Sequence, residues 1–228
     1  VLENPGLRGQ SRITHSLYAG LQLILPGEIA PAHRHSQSAL RFVLHGRGAY
    51  TAVDGERVTM NVGDFVITPS WTFHDHGNPS DEPMVWMDGL DVPLVELLDA
   101  QFMEKSQSSS QAVSGTQGEN FSRFGNTMKP VEYRQASKTS PLFWYPYGRT
   151  REALATLKAD VEPHVCWGHK LQYTNPVTGG WAMPTMGTFM QLVPGGFRGK
   201  DYRSTDSTVY AVVEGNGRCV VKGETFEF

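Results

Sequence analysis

The amino-terminal half of the chain alternates short apolar runs with glycine turns. Residues 16–26 form a strongly apolar run interrupted by the polar residue Gln22, and similar runs follow up to residue 78. Glycine-containing turns separate them at residues 45–48 and 53–56, as is typical of antiparallel hairpins. The pattern predicts a meander of short β-strands.

A further strand and two helices are predicted beyond this meander. Residues 83–91 read as a strand that places Met84, Trp86 and Asp88 on one face. Asp91 then suits the N-cap of a helix whose apolar stripe is expected in the core, namely Leu94, Leu97, Leu98 and Phe102. A second short helix is predicted near residues 150–158.

The chain divides into three predicted parts. Residues 105–119 are polar and low in complexity, which favours a linker. Residues 190–195 faintly repeat 21–27, and 213–217 repeat 44–48, which indicates internal duplication. We therefore predict a first barrel over 1–104, a connecting region over 105–180, and the start of a second barrel over 181–228. The chain opens on Val1 and stops at Phe228 within an alternating pattern, so we expect a truncated chain.

Composition narrows the function classes. The net charge of −3, with scattered Lys and Arg, argues against nucleic acid as a partner. No apolar run is long enough for a membrane span, so no membrane association is expected. Cys166 and Cys219, without a signal peptide, fit idle thiols in a reducing cytosol.

Two His-x-His pairs carry the candidate chemistry. If one unbulged strand runs from His33 to Arg41, its odd-numbered residues, which are His33, His35, Gln37, Ala39 and Arg41, share one face. His74 and His76 follow a second strand. Neutral imidazoles suit Fe, Cu, Zn, Ni and Mn, and three protein ligands leave positions open for substrate. The clustering favours one metal over isolated histidines. A second, weaker metal candidate is the group His164, Cys166 and His169.

These motifs resemble the cupin superfamily. Gly27 followed six residues later by His33, Gly63 followed six residues later by Pro69, and His74 followed by Asn78 fit the spacing of its two motifs. Two positions depart from the usual pattern. Trp71 stands where many cupins have glycine, and Ala39 stands where most have a metal-binding glutamate.

The second departure, with Arg41 two residues further on, is similar to one cupin group in particular. Residues 31–42 and 69–78 resemble the gentisate 1,2-dioxygenases and their salicylate and 1-hydroxy-2-naphthoate relatives. The resemblance implies an all-β bicupin: two double-stranded β-helix barrels with a few short helices, the second one truncated and without metal. It also implies a cytoplasmic homotetramer that uses Fe(II) and O2 to convert gentisate to maleylpyruvate in aromatic catabolism.

The resemblance assigns roles to residues. His33, His35 and His74 would hold the metal; Arg41, a fixed cation, would bind the substrate carboxylate; His76 and Asp88 would steer protons and hydroxyl groups. Gln22 and Tyr18 would also contact substrate, although an apolar strand often holds such residues in its core. Salicylate and 1-hydroxy-2-naphthoate remain alternative substrates. Two further classes of cupin also remain alternatives: a sugar-phosphate isomerase, and a storage or sensor protein without catalysis.

Overall fold

Two antiparallel sheets of five strands each face one another in the computed structural model, which describes residues 1–228. A 3₁₀ turn at Pro5–Leu7 precedes the strands, which are β1 Tyr18–Ile24, β2 Ile29–His35, β3 Ala39–His45, β4 Arg47–Val53, β5 Glu56–Asn61, β6 Phe65–Thr68, β7 His74–Gly77, β8 Met84–Leu90, β9 Met103–Lys105 and β10 Trp144–Tyr145. One sheet has the order β1-β8-β3-β6-β10 and the other β5-β4-β7-β2-β9. This is a jelly roll, so the predicted all-β cupin class is confirmed.

An apolar core fills the barrel without any help from the histidines. Val43, Val58, Met60, Ile67 and Trp86 are fully buried within one cluster of hydrophobic side chains. Burying side chains of this size stabilises a fold by roughly 1.5–3 kcal/mol each. The barrel therefore has a source of stability that is independent of a metal.

The prediction of one continuous strand from His33 to Arg41 is wrong. β2 ends at His35, β3 begins at Ala39, and the two strands belong to opposite sheets. The polar residues 36–38 cross between the sheets, and their backbone N–H groups bond outside the ladders. The Ser36 N–H donates to the Phe102 carbonyl, and the Ser38 N–H donates to the Asp91 carboxylate. The inner faces of both sheets meet inside the barrel, so the crossing still leaves the histidines and Arg41 in its interior.

The predicted apolar helix is also shorter and more exposed than expected. Helix α1 spans only Val92–Leu97, and Pro93 is its one buried residue. Leu97, Leu98 and Phe102 are exposed by 80%, 68% and 64%, so they are not core. The helix ends there because the chain turns back to pair β9 with β2 at the edge of the sheet.

The polar segment 105–119 lies against the first barrel. Ser106 donates to the Ala32 carbonyl at 2.9 Å, and Ala32 donates to Ser109 at 2.9 Å. The Gln111 side chain donates to Asp75 Oδ2 at 3.0 Å and to the Ala52 carbonyl at 3.2 Å. A domain boundary in this segment stays a prediction.

The connecting region continues through helix α2 (Glu119–Phe124) and helix α3 (Tyr147–Asp160), the latter longer than the predicted 150–158. Asp64, at the end of the first barrel's β5–β6 turn, anchors the start of α3. Its Oδ1 accepts from the Tyr147 N–H at 2.8 Å and its Oδ2 from Trp144 Nε1 at 3.1 Å. The connecting region is thus hydrogen-bonded to the barrel.

Two hairpins complete the chain, β11 (His169–Gln172) with β12 (Phe189–Leu192), and β13 (Arg218–Val221) with β14 (Glu224–Glu227). The assignment of 181–228 to a second barrel stays a prediction. Among all the helices, none combines the length and the apolar character that crossing a bilayer would require.

Candidate metal centre

Three histidines converge from two neighbouring strands. His33 and His74 are direct cross-strand partners in the β2–β7 pair, and His35 lies two residues along β2 on the same face. Their nitrogen ligand atoms lie within 4.8 Å of one another. In residues 1–228 this is the only group of three His, Cys, Asp or Glu side chains that could share one ion.

Each of the three rings is held by one nitrogen to the backbone. Nδ1 lies 2.8 Å from the Pro31 carbonyl in His33, 2.9 Å from the Gln37 carbonyl in His35, and 3.0 Å from the Thr72 carbonyl in His74. A carbonyl only accepts, so each Nδ1 carries the proton and each Nε2 keeps a free lone pair. These residues therefore fit a divalent metal.

A bulge in β2 contributes to this arrangement. The register shifts between Ala30 and His33, where Pro31 has no N–H to offer the ladder. The Pro31 carbonyl instead accepts from the His33 ring. The sequence therefore orients His33 locally, through a proline two residues before it.

The surroundings of two of the rings, His35 and His74, favour their neutral form. Burial, followed by the positive charge of Arg41, lowers the pKa of His74 to about 2, and burial lowers the pKa of His35 to about 4. His74 Nε2 is also buried without a hydrogen-bond partner. A buried ring nitrogen with a free lone pair and no hydrogen-bond partner fits the role of a metal ligand.

Arg41 lies on the opposite wall, in β3. It is cross-strand partner to Asp88 of β8, and its Nε lies 3.5 Å from Asp88 Oδ1. Its Nη1 donates to Thr68 Oγ1 at 2.6 Å, while Nε is buried without a hydrogen bond. Burial lowers the pKa of Arg41 and raises that of Asp88, because removal from water disfavours both charges.

His76 lies next to the three histidines, two residues after His74 in β7. Its ring centroid lies 5.7 Å from that of His74 and 5.4 Å from that of Trp86. Burial, followed by the charge of Arg41, holds the pKa of His76 well below its ordinary value. Trp86 Nε1 donates to Asp88 Oδ1 at 3.1 Å, so one carboxylate oxygen faces both Trp86 and Arg41.

Gln22 and Tyr18 come from the edge strand β1. Gln22 is cross-strand partner to the buried Trp86, and Gly20 is partner to Asp88, so the even-numbered residues of β1 face inward. Burial and the nearby charge of Asp88 raise the pKa of the Tyr18 hydroxyl. Both predicted substrate residues therefore lie on the inner face, at the Asp88 side of the cavity.

Arg34, between His33 and His35 in β2, makes contacts that the sequence did not reveal. The Arg34 guanidinium lies 4.7 Å from the Trp71 ring centroid and 4.6 Å from that of Phe73, and it binds Glu104 Oε2 at 2.7 Å. Trp71 has a φ of 58°, which glycine adopts without strain. The stacking on Arg34 offsets that strain and explains a tryptophan at the position where many cupins have glycine.

The weaker metal candidate does not form. The His164 ring stacks on Trp167 at 3.5 Å, and its Nδ1 accepts from the Cys166 N–H at 3.3 Å. His164, Cys166 and His169 do not bring three ligand atoms together. The sequence also missed Thr68, whose hydroxyl holds Arg41; a threonine at the end of a strand gives no signal of that role.

A jelly-roll barrel with three convergent histidines on its inner face defines a cupin. The family model described as a cupin domain matches residues 20–92. Two curated relatives match nearly the whole chain. Gentisate 1,2 dioxygenase 1 of Aquipseudomonas alcaligenes is 57% identical, over 99% of this chain and 65% of its own length. The 1-hydroxy-2-naphthoate 1,2-dioxygenase of Nocardioides sp. strain KP7 is 40% identical, over 99% of this chain and 58% of its own length.

Among solved structures, the salicylate 1,2-dioxygenase of Pseudoaminobacter salicylatoxidans, determined as adducts with gentisate, superposes with a TM-score of 0.84 at 34% identity. That match covers 99% of this chain and 63% of the other. Over nearly its whole length, the chain is thus similar to gentisate, 1-hydroxy-2-naphthoate and salicylate 1,2-dioxygenases, and residues 20–92 form a cupin domain. It spans slightly less than two thirds of the length of the relatives named here.

Proposed function

We propose that the protein is an Fe(II)-dependent ring-cleaving dioxygenase that converts gentisate and O2 to maleylpyruvate. The observation that carries the proposal is the pairing of three convergent histidines in one sheet with the buried Arg41 in the other. The 57% identical relative is named a gentisate 1,2-dioxygenase, which supports the same substrate class.

His33, His35 and His74 would hold the iron through Nε2. Bound Fe(II) would supply the redox chemistry that lets dioxygen react with an aromatic ring. No carboxylate accompanies the three ligands, because the buried Ala39 occupies the position where other cupins have glutamate. A neutral ligand set leaves more positive charge at the site, which favours an anionic, chelating substrate.

Arg41 would bind the substrate carboxylate. Thr68 and Asp88 fix its guanidinium at one edge, and its buried Nε has no hydrogen bond to the protein. An arginine that is already ordered and desolvated loses little entropy when it pairs with a carboxylate. The residue therefore contributes orientation as well as charge.

His76 and Asp88 would hold protons at the hydroxyl groups of the substrate. His76 Nδ1 is buried without a partner, and burial keeps the ring neutral, so the ring offers both an acceptor and a donor. Asp88 lies between Arg41 and Trp86 and would accept from a hydroxyl. Gln22 and Tyr18 would contact the far side of the ring.

Salicylate and 1-hydroxy-2-naphthoate remain alternative substrates within this proposal, because relatives carry those names. The sugar-phosphate isomerase is disfavoured, because Arg41 is the only buried Arg or Lys of the chain and a phosphate requires several cations. Assembly as a homotetramer and a cytoplasmic location stay predictions, the first testable by light scattering.

Oxygen consumption by the Fe(II)-loaded protein tests the proposal. We expect uptake of one O2 per gentisate, with one iron per chain by metal analysis, and a rise in absorbance from the ring-opened product. Salicylate and 1-hydroxy-2-naphthoate, offered in parallel, rank the three acids by kcat/KM. Iron-loaded protein that consumes no oxygen with any of them would favour the non-catalytic cupin.

A further inference from the structure

The carboxylate of Asp91 does not cap the helix that follows it. Asp91 occupies the N-cap position of α1 but makes no side-chain hydrogen bond to that helix. Its Oδ1 accepts from the Ser38 N–H at 2.9 Å, and its Oδ2 accepts from the Thr185 hydroxyl at 2.6 Å. At 2% exposure, it is a buried carboxylate whose two oxygens reach two distant parts of the chain.

The Ser38 contact leads to the metal ligand His35. Ser38 follows Gln37, whose carbonyl accepts from His35 Nδ1 at 2.9 Å. The other two ligands bond carbonyls two residues before them in the chain, whereas His35 depends on the crossing segment 36–38. That segment belongs to neither sheet, so its backbone needs a partner outside the ladders.

Thr185 connects this network to the region beyond the first barrel. It lies in the stretch whose neighbours Ala182, Met183 and Met186 are buried in the hydrophobic core cluster. It also lies far outside residues 20–92, the part that matches the cupin domain. Thr185, which lies outside the cupin motifs, is thus linked to the metal ligand His35 through three hydrogen bonds: Thr185 to Asp91, Asp91 to Ser38, and the Gln37 carbonyl to His35.

We propose that Asp91 and Thr185 are positioning residues for His35: together they fix the backbone at Ser38, and with it the Gln37 carbonyl that directs His35 Nε2 toward the other two histidines. The inference rests on the metal site of the proposed function. Through this link the segment around Thr185, beyond the first barrel, orders the metal site of the first barrel. Loss of the Thr185 hydroxyl leaves Asp91 Oδ2 buried without a donor and free to pull away from Ser38.

Metal affinity tests the link without relying on turnover. We compare Co(II) dissociation constants, by competition with a chelator, in wild type, Thr185→Val and Thr185→Ser. Valine keeps the shape and removes the hydroxyl, and we expect binding to weaken by about 10- to 100-fold, as for other partners that orient ligands. Serine keeps the hydroxyl and should restore affinity to within about threefold of wild type.

Tyr145→Phe is the matched control. It removes a hydroxyl of the connecting region that bonds Ser140 Oγ at 2.9 Å and the Thr174 carbonyl at 2.8 Å, without contact to the crossing segment. We expect it to lower stability while leaving Co(II) affinity unchanged. In proton spectra of the Co(II) protein, one of three shifted imidazole N–H signals should move or exchange faster in Thr185→Val only.

Each outcome is decisive. Wild type that binds no Co(II) overturns the proposed metal site itself. Wild type that binds, with Thr185→Val equal to it in affinity and spectrum, overturns the positioning role alone. Equal weakening in Thr185→Val and Tyr145→Phe reduces the effect to stability and also overturns the role. If Thr185→Val does not fold, Thr185→Ala against Thr185→Ser makes the same comparison.

Discussion

His33 and His74 face each other across the β2–β7 pair with ring centroids 4.4 Å apart, and each bonds a carbonyl two residues earlier in its own chain segment. The ladder sets their separation, and the local carbonyls set their ring orientation. The backbone alone therefore orders these two histidines. This preorganisation makes the consequences of single substitutions predictable.

Removal of one ligand should abolish metal binding while leaving the barrel folded. We expect His33→Ala, His35→Ala and His74→Ala each to lose bound iron and oxygen uptake, because two imidazoles do not hold the ion tightly enough. Metal analysis with circular dichroism checks this. The exposed His45→Ala is the control and should keep both. Full iron occupancy in His74→Ala would contradict the assignment of the site.

Substitution of Arg41 should impair substrate use more than metal binding. Arg41→Lys keeps the charge and loses the planar fork, so we expect iron to stay and kcat/KM to fall roughly 30- to 1,000-fold, about 2–4 kcal/mol. Because the buried Arg41 pairs with Asp88, Arg41→Ala should in addition destabilise the fold by about 3–5 kcal/mol.

The control for the two Arg41 variants is Arg47→Lys. Arg47 is an exposed arginine that pairs with Glu82 on the surface. We expect wild-type kcat/KM and melting temperature for it. An Arg41→Lys protein with unchanged kcat/KM would remove Arg41 from the substrate site.

The metal-free protein should lose stability as the pH falls below about 6.5, the pKa of an unfolded histidine. Folding lowers the pKa of His35 to about 4 and that of His74 to about 2, so in this range the unfolded state binds more protons. Each such histidine contributes stability that is fully present above pH 6.5 and is lost toward its folded pKa, at about 1.4 kcal/mol per pH unit.

Urea unfolding at several pH values measures this slope. In His74→Gln the slope between pH 6.5 and about 4 should be smaller by about 1.4 kcal/mol per unit, because one titrating group is gone. A slope equal to that of the wild type would mean that His74 is not buried in its neutral form.

A methyl group at Gly63 should disturb the contact between the barrel and α3. Gly63 has a φ of 84°, and a Cβ there would meet the Tyr147 ring at 2.5 Å. We expect Gly63→Ala to cost about 2–4 kcal/mol, from left-handed strain plus overpacking. Gly27→Ala, with a φ of 79° and open space around it, should cost only the strain, about 1–2 kcal/mol. Chemical denaturation compares the two, and equal losses would contradict the close contact at Tyr147.

The sequence by itself determined the strands and the ligands. Period-two alternation and glycine turns follow from local backbone geometry, and the His-x-His spacing places two rings on one strand face whatever the rest of the fold does. The resemblance of residues 31–42 and 69–78 to a known cupin group then predicted the cupin class and the convergence of His33, His35 and His74.

Only the tertiary structure decided which strand lies in which sheet. The crossing at residues 36–38 depends on contacts with Phe102 and Asp91, which no local pattern contains. The exposure of Leu97 and Phe102 was likewise decided by where the chain turned back to pair β9 with β2. The same holds for Asp91: its sequence context favours a helix cap, but burial between Ser38 and Thr185 gives its oxygens other donors, because a buried carboxylate binds whichever N–H or O–H groups the fold brings to it.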